Sequence, residues 1–391
     1  MLTGSDNMQP EQRSKTGRYV ALPGGGMGFV PNSLPPDPPF EVDHEMWTLL
    51  SEADRAIGRL DGATEILPNP DLFVAMYVRK EAVLSSQIEG TQASLADLLE
   101  YEVKKPTLKG AMDVGEVVNY VAAMNHGLDK LKTEPLSLGL VKELHAKLLA
   151  GVRGGDKTPG EFRKDQNWLG PAGSLVTQAT YVPPPPEEVG PAMQRLEDYI
   201  LHPGPMPPLI SLGLVHAQLE SIHPFIDGNG RVGRLLVILM LCREGILKRP
   251  LLYLSHYLKR NRTEYYDRLQ ATRNPGTWEG WLKFFVRGVA GAADEAASTA
   301  RKIVHLREQH RGVLQARLGQ RTAVGLALLE RLYLNPIVDI RLVAGVTGKS
   351  YINANKLVAD LEKLGLLKET TGYKRNRRFA YQPYLSLFEE S

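Results

Sequence analysis

The sequence predicts a mainly α-helical protein with a small β-hairpin in its middle and a second hairpin near its C-terminus. Apolar residues recur at helical intervals through most of the chain from Glu41 onward. Short groups of β-forming residues interrupt them at 177–182, before four consecutive prolines, and on both sides of the basic segment 374–378. We expect four consecutive regions: a flexible Gly/Pro-rich tail (1–40), an N-terminal helical region (41–110), a helical core (111–300), and a linker helix with a C-terminal domain (301–391).

The composition is that of an ordinary water-soluble protein. Charged residues make up 23% of the 391 residues and hydrophobic residues 43%, and the net charge is +3. The longest apolar run, residues 235–242, is too short to cross a membrane, and the polar N-terminus does not resemble a signal peptide. Cys242 is the only cysteine, which excludes an internal disulfide. We therefore expect a cytoplasmic protein with no membrane partner.

One segment, residues 223–234 (HPFIDGNGRVGR), concentrates reactive groups. It places a histidine, an aspartate and two arginines around two glycines. Gly228 and Gly230 allow positive φ angles, so that several backbone N–H groups can face one anion. Arg231 and Arg234 are three positions apart, which puts both guanidinium groups on the same side of a helix, where each can bind phosphate. The segment is therefore suited to binding a nucleoside triphosphate.

Helices are predicted on both sides of this loop, at 209–222 and 231–244. The second helix would present its positive N-terminal end to a bound phosphate. Structural explanations exist as well, because a His-Pro pair often ends a helix and an Asp-Gly-Asn-Gly run often forms a turn. His216, Glu220 and His223 have spacings that could form a metal site on one helix face. No further carboxylate set completes such a site, and we interpret His216 as a core residue.

The loop resembles the signature of the Fic family, His-Pro-Phe-x-Asp/Glu-Gly-Asn-Gly/Lys-Arg-x-x-Arg, at every defined position. The family consists mostly of protein AMP-transferases. The resemblance implies a helical core with a small hairpin flap, ATP and Mg²⁺ as cofactors, and AMP transfer to a Ser, Thr or Tyr hydroxyl of a target protein or of the protein itself. The related Doc-type phosphotransferases carry Lys at the position of Gly230, and glycine there favours AMP transfer.

The resemblance also implies roles for individual residues, and the physical chemistry agrees with them. A neutral imidazole suits a general base near pH 7, and Mg²⁺ prefers a carboxylate together with phosphate oxygens. The implied roles are a catalytic base at His223, a Mg²⁺ ligand at Asp227, and ATP or phosphate contacts from Gly228, Asn229, Gly230, Arg231 and Arg234.

A second match lies upstream, in the run SSQIEG that begins at Ser85. It resembles the family's inhibitory motif, Ser/Thr-x-x-x-Glu-Gly/Asn, and follows a predicted helix over residues 71–87 that Gly90 would end. The resemblance implies that the Glu89 carboxylate pairs with Arg234, which leaves ATP in an unproductive pose. A glutamate at the end of a surface helix is the structural alternative.

Two further segments are assigned by the resemblance. Thr180, Tyr181 and Val182 are expected in the flap that lines the target-binding groove, where an exposed strand edge could pair with a target segment. A loop crossing the surface is the alternative. Asn261 is expected to complete the nucleotide pocket.

The C-terminal region is locally basic. From Arg321 onward it contains 11 Lys and Arg against 7 Asp and Glu, an excess of 4. Its predicted elements resemble a winged helix-turn-helix, a frequent companion of the Fic core. DNA binding by the third helix and the basic hairpin tip is one interpretation, and a dimerisation or partner-binding module is the other; a homodimer is expected by analogy with the family. The predicted elements are helices at 321–335, 338–344 and 349–364, and strands at 366–369 and 378–381.

Three functional hypotheses follow. The chain is an AMP-transferase that its own Glu89 holds inactive, or a Fic enzyme that transfers phosphate or removes AMP, or a DNA-binding regulator whose core senses nucleotide. The complete signature and the glycine at position 230 favour the first hypothesis.

Overall fold

The computed structural model describes residues 13–23, 25–65, 70–103, 111–171, 173–274 and 276–389. These residues are mainly helical, as the sequence predicts, with two small antiparallel sheets, of which the sequence predicts only the C-terminal one. No helix among them is both long and apolar enough to cross a membrane. The helices are α1 (His44–Glu65), α2 (Pro70–Ile88), α3 (Leu95–Val103), α4 (Ala111–Lys130), α5 (Leu138–Leu148), α6 (Pro186–Leu201), α7 (Pro208–Ile222), α8 (Asn229–Arg243), α9 (Leu254–Arg260), α10 (Arg262–Arg273), α11 (Glu279–Arg317), α12 (Thr322–Leu334), α13 (Ile340–Thr347), α14 (Tyr351–Lys363) and α15 (Gln382–Glu389). The strands are β1 (Arg13–Ser14), β2 (Gly17–Ala21), β3 (Met27–Pro31), β4 (Ile337–Asp339), β5 (Lys368–Glu369) and β6 (Arg378–Ala380).

The chain divides into two compact units, each assembled from three separate stretches. Of the residues that the structure describes, the first unit comprises those within 13–51, 122–244 and 260–288, and the second those within 52–121, 245–259 and 289–389. The predicted regions, by contrast, are consecutive along the chain.

The core of the first unit is built around α7 and α8, whose sequences are apolar on nearly all sides. Every residue of α7 from Leu209 to Ile222 is buried, as expected for a helix without a polar face. α7 packs against α6, α8, α10 and β3. The buried Trp281 donates a hydrogen bond from Nε1 to the Gly213 carbonyl at 2.8 Å. These contacts fix the helix that leads into the loop at 223–228.

The N-terminal residues form a three-stranded sheet with the order β1-β2-β3. Phe29 of β3 is only 1% exposed, and the Thr16 hydroxyl donates to the Thr272 carbonyl of α10 at 2.5 Å. The prediction of a flexible tail over residues 1–40 is therefore wrong for the sheet, while residues 1–12 lie outside the described part. Gly and Pro content misled the prediction, because β-forming residues between glycines can build a hairpin when a helical core covers one face.

In the second unit, α2 packs against α3 and α12. Its buried side chains lie in an aromatic cluster that includes the C-terminal helix α15. The Phe73 ring is 5.3 Å from the Tyr333 ring, and the Tyr77 ring is 5.7 Å from the Phe388 ring in an edge-to-face geometry. The helix that precedes Glu89 is thus a core element of this unit.

The C-terminal elements up to β6 lie close to their predicted positions, with one difference, and α15 (Gln382–Glu389) is not predicted from the sequence. Val338 belongs to β4, which pairs with β6, whereas the sequence predicts it in a helix. α13 begins later because the Asp339 carboxylate accepts a hydrogen bond from the Leu342 N–H at 2.7 Å and caps the helix there. The sheet order is β4-β6-β5. The interpretation of these elements as a winged helix-turn-helix stays a prediction.

The packing of the N-terminal sheet is open to a direct test. We expect Phe29→Ala to lower the free energy of unfolding by about 3–5 kcal/mol, because it leaves a cavity beneath the sheet. Met27→Ala, at an exposed position of the same strand, should change it by less than about 0.5 kcal/mol. Urea unfolding of the two variants measures both values, and an unchanged midpoint for Phe29→Ala would show that the sheet is not packed.

Candidate active site

The loop at 223–228 connects two helix ends in unusual backbone conformations. His223 follows the last residue of α7 with φ 49° and ψ 60°, in the left-handed region. Gly228 precedes α8 with φ 82°, a conformation that glycine adopts readily. α8 begins at Asn229, two residues earlier than predicted. The histidine thus stands at the C-terminus of α7, and five residues connect it to α8, whose N-terminal end carries a positive partial charge.

Side chains from distant segments hold the end of α7 in place. Arg163, which is buried, donates from Nε to the His223 carbonyl at 2.9 Å and from Nη2 to the Ile222 carbonyl at 3.5 Å. Arg273 donates from Nη2 to the Glu220 carbonyl at 3.1 Å. These carbonyls are among those that a helix C-terminus leaves without intrahelical partners.

Tyr181 completes this set of contacts. Its hydroxyl donates to the Ser221 carbonyl, and the Arg273 guanidinium lies 3.7 Å from the centre of its ring. Burial raises the pKa of Tyr181 to about 12, so the hydroxyl keeps its proton and remains a donor. Sequence reasoning assigned no role to Arg163 or Arg273, since nothing local to either residue indicates its partner.

The turn itself is closed by Asn229. Its Oδ1 accepts from the Phe225 N–H at 2.9 Å and its Nδ2 donates to the Phe225 carbonyl at 2.8 Å. Asn167 Nδ2 donates to the same carbonyl at 2.9 Å. The Asn229 side chain therefore stabilises the loop. A phosphate could contact the backbone N–H of this residue.

His145 of α5 supports the loop from the other side and was not identified from the sequence. Its ring stacks on Phe225 with centroids 3.7 Å apart. Nδ1 accepts from the Gly160 N–H at 2.8 Å, so the proton is on Nε2, which donates to the Asp227 carbonyl at 2.9 Å. Burial lowers the pKa of His145 to about 4, and the neighbouring charge of Arg231 acts in the same direction. A lone histidine on an apolar helix gave no signal of this role.

The charged side chains of residues 223–234 differ in their exposure to solvent. The Arg231 and Arg234 side chains are buried, whereas the Asp227 side chain is 41% exposed. Arg231 Nη2 lies 3.5 Å from Asp227 Oδ1. Gly154 has φ 83°, which favours glycine, and a Cβ atom there would come within 2.8 Å of Asp227 Oδ2, so a side chain at position 154 would displace that carboxylate. Two buried cations near the start of α8 favour an anion there.

Two places in the sequence suggest metal binding, the segment with His216, Glu220 and His223 and the carboxylate of Asp227. No group of three or more His, Cys, Asp and Glu side chains capable of holding a metal occurs in the described part of the chain. Burial, followed by the charge of Arg234, lowers the pKa of His216 to about 3, and its Nε2 is 2.8 Å from the Tyr265 hydroxyl. His216 is therefore a neutral core residue. Asp227 offers one accessible carboxylate, which suits Mg²⁺ that arrives with phosphate oxygens.

Among its described residues the flap contains a single antiparallel bridge, between Leu169 and Tyr181, and it is less extended than the predicted hairpin. Of the residues predicted to bind a target, Thr180 is exposed, Tyr181 is buried, and the Val182 carbonyl accepts from the Phe29 N–H at 2.9 Å. The edge at Val182 is thus already paired with β3.

The other predicted site residues lie at helix termini. Asn261 immediately precedes α10 and is half-buried, and its nucleotide contact stays a prediction. Ser85 is buried in α2. Glu89 is half-buried in the turn that follows α2, and Gly90 has φ 95°, as expected of a residue that ends a helix. Pairing of the Glu89 carboxylate with Arg234 of α8 stays a prediction.

Two family models match this chain, and the second of them covers the loop at 223–228. Residues 47–129 match the model of the Fic/DOC family N-terminal region, and residues 135–241 match the model of the Fic/DOC family. The chain is 34% identical to the protein adenylyltransferase Fic of Drosophila ananassae over 157 residues, 40% of this chain and 27% of that protein. It is 30% identical to the protein of the same name from Culex quinquefasciatus over 218 residues, 53% of this chain and 38% of that protein.

The chain thus spans between a quarter and two fifths of the length of these curated relatives. Among solved structures, a Fic family protein from Desulfovibrio desulfuricans G20 is similar with a TM-score of 0.59 and 20% identity, over 88% of this chain and 97% of that chain. At this identity the similarity supports the fold.

The buried His145 predicts a pH dependence of stability. Its native pKa is about 4, below the value of about 6.5 expected in the unfolded chain. Between these pH values the unfolded chain binds a proton that the native protein does not, so stability falls by about 1.4 kcal/mol per pH unit as the pH decreases from 6.5 to 4. Above pH 6.5 this contribution is fully present.

Urea unfolding from pH 7 to pH 4.5 tests this expectation. His145→Gln should be less stable than the wild type at pH 7 but should lose less stability on acidification. His202→Gln, which replaces an exposed histidine of the same unit, should follow the wild-type pH dependence. Identical slopes for His145→Gln and the wild type would mean that His145 titrates like a solvent-exposed histidine.

Proposed function

Because the chain is a Fic family protein, we propose that it transfers AMP from ATP to a hydroxyl group of a target protein, and that Glu89 restrains this activity. The observation that carries the proposal is the placement of His223. A proton acceptor is held at the end of α7, six positions before α8 begins, and two buried arginines in the first turns of α8 favour phosphate.

In the proposed reaction, the His223 imidazole removes the proton of a Ser, Thr or Tyr hydroxyl as the oxygen attacks the α-phosphorus of ATP. A bond forms between the hydroxyl oxygen and this phosphorus, and the bond to the β-phosphate oxygen breaks, so pyrophosphate leaves. The first N–H groups of α8 and the guanidinium groups of Arg231 and Arg234 neutralise the phosphate charge. Asp227 would hold Mg²⁺, which supplies further charge neutralisation when bound.

The residues around the flap are consistent with a protein as the acceptor. Leu175 is 67% exposed, Trp168 39% and Leu169 37%. The Trp168 indole N–H donates to the Ser174 carbonyl at 3.0 Å, which holds the flap together. Exposed apolar side chains beside a reactive site are typical of surfaces that bind another macromolecule.

Transfer of the α-phosphate can be measured with labelled ATP. We expect protein labelling from α-phosphate-labelled ATP in a Glu89→Gly background, either on a target in a lysate or on the protein itself. Adding His223→Ala should reduce the labelling by at least about 100-fold, in line with the usual contribution of a general base. His202→Ala, at an exposed position of the same unit, is the matched control and should leave labelling unchanged.

Different labels separate the alternatives. Incorporation from γ-phosphate-labelled ATP without incorporation from the α-label would replace AMP transfer by phosphate transfer. Loss of AMP from a previously labelled protein, on addition of the wild type, would demonstrate AMP removal. Absence of any labelling in the Glu89→Gly background would contradict the proposed transfer.

Restraint by Glu89 is proposed from its place in the motif that begins at Ser85 and from its backbone setting. The Thr91 N–H donates to the Ser86 carbonyl at 3.2 Å and closes the turn that contains Glu89. The helix before the turn is buried in the second unit. Because this turn is already ordered, the Glu89 carboxylate can pair with Arg234 without the entropy cost of ordering a flexible segment.

We expect Glu89→Gly to raise AMP transfer by at least about tenfold, because it frees Arg234 for the nucleotide. Removing one partner of a partly buried ion pair can change the free energy by about 3–5 kcal/mol. The increase in AMP transfer can therefore exceed tenfold. Glu134→Gly, at an exposed glutamate in the turn after α4, should leave the rate of α-label incorporation unchanged. Equal rates for the wild type and Glu89→Gly would exclude the restraint without excluding the transfer.

A further inference from the structure

The second unit carries a surface that the proposed AMP transfer does not use. It is formed by the first half of α14 and by the loop 370–377 between β5 and β6, and we call it the C-terminal face. α13 and α14 are joined by a tight turn in which Gly348 has φ 63°. With Lys349, which lies just before α14, the exposed residues of the C-terminal face include Tyr351, Ile352, Asn353, Lys356, Tyr373, Lys374 and Arg375.

Three of these residues are large and apolar. Tyr351 is 57% exposed, Ile352 68% and Tyr373 65%. Their exposure does not reflect a loosely attached helix, since the opposite side of α14 is buried. The buried side comprises Ala354, Leu357, Val358 and Leu361.

The face is positively charged along its whole length. No Asp or Glu occurs in residues 349–359 or 370–378. The carboxylates nearest in sequence are already engaged: Asp360 forms an ion pair with Arg321, and the Glu369 carboxylate accepts from the Gly372 N–H at 2.9 Å. Of the cations of the face, Arg377 lies near the Glu369 carboxylate, whose pKa is lowered by the hydrogen bond from Thr371 and also by the charge of Arg377. The others, Lys349, Lys356, Lys374 and Arg375, are exposed.

The helix and the loop are held together as one surface. Arg377 Nη2 donates to Asn355 Oδ1 at 2.9 Å, which ties the loop to α14. A cleft of about 510 Å³ runs beside α14. Its lining residues are Arg321, Val324, Lys349, Asn353, Lys356 and Leu357.

We propose that the C-terminal face binds duplex DNA, with the first half of α14 in the major groove and the loop 370–377 on the flanking backbone. A helix with its side chains is about 10–12 Å wide and fits a groove of about 12 Å. Asn353 and Lys356 can bond to base edges, and Ile352 can contact thymine methyl groups. Lys374 and Arg375 can contact phosphates.

The residue types favour DNA over a protein partner. Lysine is depleted in protein–protein interfaces, whereas protein–DNA interfaces are much more positively charged. Four exposed cations stand on the face without a carboxylate among them. This inference does not depend on AMP transfer, because it involves none of the residues of the loop 223–234.

Fluorescence anisotropy with the full-length protein tests the proposal. The probes are a labelled random-sequence duplex pool and a duplex enriched from that pool by the protein. Binding should weaken with salt by a slope of about 0.9 per phosphate contact. Asn353→Ala should weaken binding to the enriched duplex by about tenfold and leave binding to the random pool unchanged.

Two double variants separate the face from general surface charge. Lys374→Ala with Arg375→Ala should weaken binding to both probes and lower the salt slope by about 2. Arg301→Ala with Lys302→Ala, which removes two exposed cations of α11, should change neither. All five substituted positions are exposed, so folding is not at issue. Equal affinity for the matching single strand or for polyglutamate, equal effects of the two double variants, or absence of salt-dependent binding would each overturn the proposal.

Discussion

The backbone at the end of α7 imposes the main constraint on the first unit. A helix leaves its last carbonyl groups without partners, and here the next residue, His223, is also left-handed, which costs about 1–2 kcal/mol. Arg163, Tyr181 and Arg273 donate hydrogen bonds to these carbonyls. Bonds from charged donors contribute about 1.5–3 kcal/mol each, which exceeds the cost of the strained residue. The position of the histidine therefore depends on side chains that take no part in the proposed chemistry.

These three side chains link the loop to segments far away in the sequence. The Arg273 guanidinium stacks on the Tyr181 ring, and the Arg273 carbonyl accepts from the Ser14 hydroxyl at 2.8 Å. The segment after Tyr181 pairs with β3 through the bond from the Phe29 N–H to the Val182 carbonyl. The flap, α10 and the N-terminal sheet thus form one hydrogen-bonded frame around the end of α7, and disturbance of one part is transmitted to the others.

Local patterns were sufficient for the parts of the structure that local interactions determine. The helices around the loop and the C-terminal elements follow from apolar periodicity, and Gly90 ends α2 as a glycine at that position should. The N-terminal sheet was missed because its stability comes from a helical core that composition does not reveal. His145 and Arg163 were missed because their partners lie far along the chain, at Asp227 and His223, and one sequence carries no record of such pairs.

The anchoring of α2 limits how Glu89 could be released if it restrains the site. The buried Glu81 carboxylate accepts from the Ser255 N–H at 3.0 Å, and the Lys80 ammonium donates to the Phe388 carbonyl. Hydrogen bonds that involve a charged group contribute about 1.5–3 kcal/mol each. Unwinding α2 would break both contacts together, whereas coupling between two binding sites usually amounts to about 1–3 kcal/mol. Release of Glu89 by rearrangement of the turn that contains it, or by displacement of an intact α2, therefore costs less free energy than melting of the helix.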